Sequence, residues 1–236
     1  MRKLIGFTGK KRSGKDTSAR ILAEMTGYQI YSFARPLKQI CNSIFGLSIE
    51  HEDGSLKEVK SHFMVEEWDT KLVESCSSMF GDLLKLSKRE LTELFYTKVL
   101  LPFLVSENSE ESRALVYCSP RQIYQNFGTD FARVIDSNIW IKLAQKQLDK
   151  GLGLIISDVR FDNEAEWIES NSGLLVSVRR EASDINRDSH ESESGVSKHL
   201  IHVGINNDDS VEALQDSIFS LLEYYLKYNT ISVSST

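Results

Sequence analysis

The sequence predicts an α/β protein in which helices flank a mainly parallel central sheet. Hydrophobic, strand-like runs alternate with amphipathic helical segments along the chain, and this alternation is typical of a parallel sheet. A glycine-rich turn with the spacing G-x-x-x-x-G-K, from Gly9 to Lys15, directly follows the first hydrophobic run. A strand, this turn and then a helix form a phosphate-binding loop. The fold class therefore narrows to the P-loop nucleoside triphosphatase fold.

The phosphate loop (residues 9–17) lies between a predicted buried strand at residues 4–8 and a predicted helix that includes residues 18–25. Its backbone N–H groups and the helix N-terminus would bind a polyphosphate, and Lys15 would reach the outer phosphates as a point charge. The pattern usually has Ser or Thr directly after the lysine, to bind magnesium, but this chain has Asp16 there and Thr17 next. The residues predicted to bind the phosphates are Arg12, Ser13, Gly14, Lys15, Asp16 and Thr17.

The composition is that of an ordinary globular chain of 236 residues, of which 41% are hydrophobic and 26% charged. The net charge of −6 argues against a general nucleic-acid binder. No apolar run is long enough to span a membrane, and we expect no signal peptide, because the first strand is predicted to begin at residue 4. The three cysteines contain no C-x-x-C pair, so we expect neither zinc nor disulfides, and a cytoplasmic location.

We expect a single domain whose core comprises residues 1–46 and 119–230. Residues 47–118 are predicted to form a helical insertion on the substrate side. Residues from about 180 to 198 are rich in charged residues and serine and lie between two late strands. This segment is predicted to be a lid that closes on phosphates, with Arg179, Arg187 and His190 as its site residues.

Two further segments carry candidate ligands for an anion and a base. Arg35 ends a predicted strand and begins a helix, where a cation opposes the helix dipole unless it binds an anion. Ser119 and Pro120 begin a helix on which Arg121, Gln125 and Gly128 share one face. Together with Arg133 this face could hold a base and a phosphate, although the helix alone fits a solvated face better.

A continuous hydrophobic run at residues 152–157 ends at Asp158. This pattern predicts a buried parallel strand with a carboxylate at its carboxyl edge, where P-loop folds carry a second acid linked to magnesium. The alternative is a simple helix cap at the end of the strand. Arg160 would project over the same edge.

These motifs together resemble one family, the deoxynucleoside monophosphate kinases of bacteriophages. The resemblance covers both ends of the chain and is weak over residues 47–118. Because the family typically carries Gly-Lys-Asp in its phosphate loop, Asp16 fits the family pattern. The stretches that carry the resemblance are Thr8 to Thr17, Phe33 to Lys38, Gln125 to Asp130, Asp158 to Glu164 and His190 to Glu193.

The resemblance implies phosphoryl transfer from ATP to a deoxynucleoside monophosphate, with Mg²⁺ as cofactor and these two nucleotides as small-molecule partners. Positive charge around the moving group and exclusion of water are what this reaction requires. The implied catalytic residues are Lys15, Lys11, Arg160 and Asp158, and the implied magnesium ligands are Asp16, Thr17 and Asp158. The implied substrate-binding residues are Lys11, Arg35, Lys38, Arg121, Gln125, Asp130 and Arg133, and Arg179 and Arg187 would neutralise developing charge.

Two other readings of the sequence stay open. A phosphate loop binds phosphates and does not identify the acceptor. The chain could therefore be a kinase of another small molecule, such as a coenzyme precursor. It could also be a non-catalytic nucleotide-binding module, although no Asn-Lys-x-Asp guanine signature is present. The sequence is also compatible with a homodimer. For a phage-encoded chain, the expected location is the cytoplasm of the infected cell.

Overall fold

A computed structural model describes residues 4–52, 54–181 and 195–229, with side chains up to residue 224. The strands are β1 (Leu4–Thr8), β2 (Gln29–Tyr31), β3 (Ser61–Val65), β4 (Leu104–Asn108), β5 (Arg113–Cys118), β6 (Leu154–Val159), β7 (Leu174–Arg179) and β8 (Val203–Asn206). The α-helices are α1 (Lys15–Thr26), α2 (Ala34–Phe45), α3 (Ile49–Glu52), α4 (Trp68–Phe80), α5 (Lys88–Phe95), α6 (Pro120–Gln125), α7 (Arg133–Ile135), α8 (Ile139–Leu148), α9 (Asp162–Ser170) and α10 (Val211–Asn229).

The chain divides into two compact units, residues 1–33 with 141–236 and residues 34–140. The first unit contains a five-stranded sheet in the order β2-β6-β1-β7-β8, in which all pairs are parallel. The phosphate loop connects β1 to α1. This arrangement confirms the predicted P-loop nucleoside triphosphatase fold with its parallel sheet.

Helices pack on both faces of this sheet because successive strand residues point to opposite faces. Ile5 and Phe7 of β1 lie in a core cluster with residues of α1 and α10, such as Leu22 and Ile218. Gly6, between them, faces the other way and approaches Ile168 of α9. The burial of all of β1, and of every residue of β6 and β7 except Asp158 and Arg179, reflects this two-sided packing.

The second unit differs from the helical insertion predicted over residues 47–118. It contains a three-stranded antiparallel sheet in the order β3-β5-β4, and it extends from residue 34 to residue 140. The strands were missed because β3 and β4 have only five residues each, and β4 runs into the acidic, serine-rich residues 106–112, a composition typical of loops. Helix α5 begins with a capping box formed by Ser87 and Glu90.

Aromatic rings form the core of the second unit. The ring of Phe95 lies 6.3 Å from that of Phe45, 6.2 Å from that of Phe127 and 5.6 Å from that of Phe131, measured between centroids. Buried cysteines belong to the same unit, and all three are free thiols. Burial raises the pKa of the Cys41 thiol and raises the pKa of Cys76 and of Cys118 to about 12.

The helix that begins at Ser119 starts as predicted but does not continue as an α-helix. Ser119 accepts a hydrogen bond from Gln122 N, Gln122 completes the capping box, and Pro120 takes the first position. Residues Asn126–Ala132 then adopt π-helical winding, which turns the chain less per residue. The predicted shared face of Arg121, Gln125 and Gly128 is therefore wrong beyond Gln125.

Strand β8 begins at Val203, shortly after a 3₁₀ turn. Lys198–Leu200 form a 3₁₀ turn, and His202 lies just before β8. The His202 ring Nδ1 accepts a hydrogen bond from Leu175 N, and His202 N donates to Leu175 O. In the ranges that the structure describes, no helix is long and apolar enough to cross a membrane.

Gly6 provides a test of the two-sided packing around β1. A Cβ at this position would lie 2.4 Å from Ile168 Cδ1, so Gly6→Ala should overpack the α9 face and lower the free energy of unfolding by about 1–3 kcal/mol. Gly204→Ala in β8 is the matched control, because a Cβ there meets nothing within 4 Å. Urea unfolding of both variants measures the difference, and equal stabilities would contradict this packing.

Candidate active site

Two glycines of the phosphate loop, Gly9 and Gly14, pack closely against neighbouring segments of the chain. Gly9 has φ 139°, and Gly14 has φ 103°, a region that other L-residues rarely adopt. A Cβ at Gly9 would lie 2.2 Å from the Val178 carbonyl oxygen at the end of β7. Only glycine allows this approach, so the fold itself requires the first glycine of the motif.

Lys15 lies inside the loop and is only 8% exposed. Its ammonium Nζ donates hydrogen bonds to the Gly9 carbonyl at 2.7 Å and to the Lys10 carbonyl at 2.6 Å. These contacts hold a positive charge at the centre of the loop. A polyphosphate bound there would meet this charge together with the positive end of α1.

A pocket of about 370 Å³ opens beside the loop and lies wholly within the first unit. Four cationic and two anionic side chains contribute to its wall, which suits a polyanion. Beyond the loop residues, sequence reasoning missed most of this wall. The signal for Arg20 was its i, i+4 spacing from Asp16 on α1. The lining residues are Arg12, Gly14, Lys15, Asp16, Thr17, Arg20, Arg180, Asn207, Asp209, Val211 and Leu214.

The first turn of α1 offers oxygen ligands suited to Mg²⁺. Asp16 is exposed, Thr17 is partly buried, and both line the pocket. Mg²⁺ usually keeps several waters and takes only one or two protein oxygens together with substrate phosphates, so these two residues fit the ion. The structure describes no group of three or more potential metal-ligating His, Cys, Asp or Glu side chains.

Asp158 lies near the end of β6 and binds the residues that follow the neighbouring strand, β2. Its two carboxylate oxygens accept hydrogen bonds from the Ser32 hydroxyl at 2.7 Å and from Phe33 N at 2.8 Å. Both donors directly follow β2. The carboxylate therefore acts as a cap for the turn after β2, in addition to any role towards magnesium.

Glu164 shapes the turn that carries Arg160, and sequence reasoning gave it no role. The Glu164 carboxylate is 2% exposed and accepts hydrogen bonds from Arg160 N at 2.8 Å and Phe161 N at 3.2 Å. Its signal was its place three residues after Phe161, at the start of α9, as in a capping box. Glu164 thereby fixes the backbone from which the Arg160 side chain projects.

Two aspartates fasten the chain on either side of the segment that the structure does not describe. Asp162 accepts hydrogen bonds from Ser197 N at 2.7 Å and from the Ser197 hydroxyl at 2.6 Å. Asp208 accepts one from Glu181 N at 2.7 Å. Arg179 is exposed at the end of β7, whereas the other two predicted lid residues, Arg187 and His190, lie outside the described residues.

The predicted substrate-binding residues other than Lys11, which is exposed in the phosphate loop, all lie in the second unit. Arg35 and Asp130 are exposed, and Gln125 is partly buried. Arg121, whose side chain is 12% exposed, has its guanidinium NH1 3.5 Å from a carboxylate oxygen of Glu58. The guanidinium of Arg133 donates to the Ser137 carbonyl at 3.0 Å.

Lys38 belongs to a polar chain that sequence reasoning did not find. Its ammonium lies 3.9 Å from the Glu52 carboxylate, which also accepts a hydrogen bond from the Asn42 side-chain amide. The Tyr124 hydroxyl donates to the other end of that amide, Asn42 Oδ1, at 2.9 Å. This chain joins α2, α3 and α6, and it orients Lys38 on α2.

Comparison with known proteins identifies similar sequences over nearly the whole chain. The family model for deoxynucleotide monophosphate kinase matches residues 3–218. Deoxynucleoside-5'-monophosphate kinase of Escherichia phage T5 is 27% identical over 247 residues, which covers 95% of this chain and 97% of that protein. A putative deoxynucleotide monophosphate kinase of Acanthamoeba polyphaga mimivirus is 27% identical over 237 residues, with coverage of 93% and 96%.

Solved structures show a weaker likeness. TT1252 from Thermus thermophilus gives a TM-score of 0.41 at 14% identity, covering 94% of this chain and 96% of that chain. Dephospho-CoA kinase from Campylobacter jejuni gives 0.40 at 15% identity, with coverage of 97% and 100%.

The contact between Asp162 and Ser197 predicts a pH-dependent stability. The hydrogen bonds from Ser197 favour the ionised carboxylate and lower the pKa of Asp162 below its unfolded-state value of about 3.9. Their stabilisation is therefore complete above that value and is lost as the pH falls through the folded-state pKa. The free energy of unfolding at pH 7 should therefore be higher for wild type than for Asp162→Asn. This difference should become smaller as the pH is lowered towards 3.

An exposed aspartate of the same unit, Asp216 on α10, is the control for this measurement. Denaturant unfolding of wild type, Asp162→Asn and Asp216→Asn at pH 7, 5 and 3 gives the comparison. A stability difference for Asp162→Asn that stays constant down to pH 3 would exclude the ionised hydrogen bond.

Proposed function

The chain belongs to the deoxynucleotide monophosphate kinase family, and from this premise we propose how it transfers the γ-phosphoryl group of ATP to a deoxynucleoside monophosphate. The observation that carries the proposal is the pocket beside the phosphate loop. Its wall combines a buried lysine, three arginines and a helix N-terminus, which is the set of groups that a nucleoside triphosphate requires.

In the proposed complex, the triphosphate lies along the phosphate loop and the nucleoside extends towards Asn207 and Val211. Backbone N–H groups at the start of α1 bind the β- and γ-phosphates, and Lys15 exchanges its contacts with the loop carbonyls for phosphate oxygens. Arg12, Arg20 and Arg180 offset further negative charge. The protein needs to supply little covalent chemistry, because positioning and charge stabilisation provide most of the rate enhancement.

Magnesium, when bound, would supply positive charge that offsets the negative charge developing on the phosphates. Thr17 and Asp16 are the residues that would hold it. Asp158 has both oxygens engaged with Ser32 and Phe33, so we assign it a role through a water or through the turn after β2. Arg160, whose backbone is fixed by Glu164, would stabilise charge on the transferred group.

The acceptor monophosphate would be bound by residues of the second unit. Arg35 and Arg133 are proposed to clamp its phosphate, with Lys38 oriented by Glu52. Arg121, Gln125 and Asp130 are proposed to contact the base and sugar, and Lys11 would bridge donor and acceptor phosphates. Arg179 would add positive charge at the end of β7. The reaction would take place in the cytoplasm, where the chain would encounter ATP and these acceptors. For a phage-encoded chain, this would be the cytoplasm of the infected cell.

An acceptor panel tests the proposed reaction. ADP release from ATP and Mg²⁺, measured with each common deoxynucleoside monophosphate, ribonucleoside monophosphate and a coenzyme precursor, should show turnover with deoxynucleotides. Lys15→Ala should lower kcat/KM by about 100-fold, since it removes one fixed charge from the transition state. Turnover of the coenzyme precursor alone would reject the proposed acceptor, and ATP binding without any turnover would indicate a non-catalytic module.

Arg35→Ala tests the acceptor clamp separately from the donor pocket. Loss of a cation that binds the acceptor phosphate should raise KM for the deoxynucleoside monophosphate about tenfold or more and leave the Kd for ATP unchanged. Arg113→Ala is the matched control, because this exposed arginine of β5 contacts Glu66 and Glu111 on the protein surface. An unchanged acceptor KM in Arg35→Ala would remove Arg35 from the site.

A further inference from the structure

Asn207, on the turn between β8 and α10, ties the phosphate loop to the sheet. Its side chain is buried, with 9% of the residue exposed, and Nδ2 donates a hydrogen bond to the Ser13 carbonyl at 2.8 Å. Its backbone N donates to the Arg179 carbonyl at 2.7 Å, which continues the pairing of β7 with β8. Because the partner of the amide is a carbonyl oxygen, the orientation of the Asn207 amide is determined.

The hydrogen bond from Asn207 sets the direction of the next backbone N–H. The peptide between Ser13 and Gly14 is trans, and a trans peptide points its C=O and N–H to opposite sides. With the Ser13 carbonyl directed at Asn207, the Gly14 N–H points away from Asn207. In the described part of the chain, this N–H donates to no protein acceptor, and Gly14 lines the pocket.

Without this contact, the Ser13–Gly14 peptide would have little to hold it. Glycine has no Cβ and populates both signs of φ readily, so the peptide before it can rotate at low cost. The Asn207 amide lies directly on Gly14, since a Cβ there would come 2.2 Å from Nδ2. The same closeness requires glycine at position 14 and immobilises its peptide.

We propose that Asn207 is a positioning residue that holds the Gly14 N–H in the direction of a bound phosphate. Asn207 acts through the backbone of the phosphate loop and not by reading the base, although its side chain also lines the pocket. The proposal rests on the proposed function only in taking the bound polyphosphate to be that of ATP.

Inorganic tripolyphosphate separates this role from a role in the pocket wall, because it has phosphates but no base or sugar. We expect Asn207→Ala to weaken binding of tripolyphosphate and of ATP by a similar factor, about tenfold, as fits the loss of one hydrogen bond. KM for the acceptor should not change. Asn206→Ala is the matched control, since this neighbouring asparagine is exposed on β8 and is not part of the pocket beside the phosphate loop.

Calorimetric titration of wild type, Asn207→Ala and Asn206→Ala with tripolyphosphate and with ATP gives the comparison. Unchanged tripolyphosphate binding in Asn207→Ala would overturn the proposal, and a loss confined to ATP would mean that Asn207 serves only the nucleoside. Wild type that binds neither probe would reject the proposed function itself, and the positioning role with it.

Asn207→Asp keeps the shape of the side chain and carries the test if Asn207→Ala fails to fold. Its carboxylate opposes the Ser13 carbonyl, so tripolyphosphate binding at pH 7 should be weakened at least as much as in Asn207→Ala. A protonated carboxyl can again donate a hydrogen bond. The ratio of wild-type to variant affinity should therefore narrow as the pH is lowered from 7 to 5, and a constant ratio of one across that range would contradict the positioning role.

Discussion

The candidate site depends on the contact of the phosphate loop with two parallel strands. β1 pairs with β7, and β7 with β8, so the carboxyl ends of the three strands meet at one edge of the sheet. The end of β7 meets the loop at Gly9, and the residue after β8 meets it at Gly14. Both glycines have positive φ, so the shape of the loop is imposed from outside as well as by its own sequence. A change in the register of β7 or β8 would therefore alter the site.

The pocket beside the phosphate loop is positively charged, whereas the chain as a whole is negatively charged. The chain carries a net charge of −6, but the pocket wall has Arg12, Lys15, Arg20 and Arg180 against Asp16 and Asp209. A local positive pocket in an acidic chain attracts a small polyanion and offers little to an extended one. The buried lysine is the most constrained of these charges, because loop carbonyls hold it in place.

The sequence predicted the first unit well, because its signals are local. A phosphate loop and a buried strand ending at Asp158 each follow from residues adjacent in the chain. It did not predict the cap that Asp158 places on Ser32 and Phe33, or the contact of Asn207 with Ser13. These depend on residues more than a hundred positions apart, which only the sheet order brings together.

In the second unit, local patterns were less informative. Short antiparallel strands with acidic or exposed residues resemble loops, so β3, β4 and β5 were missed. The helix after Ser119 was placed correctly at its start, where capping is a local property. Its π-helical continuation has no comparable signal in the sequence, which is why the predicted face of Arg121, Gln125 and Gly128 did not extend past Gln125.

The burial of every cysteine has a practical consequence for thiol chemistry. Cys41, Cys76 and Cys118 are inaccessible and hold their protons at neutral pH, and alkylating or oxidising reagents act on exposed thiolates. The folded protein therefore offers such reagents no reactive native thiol. A single cysteine introduced at an exposed position could carry a spectroscopic label on the unmodified background, and thiol reactivity of the native chain would report unfolding.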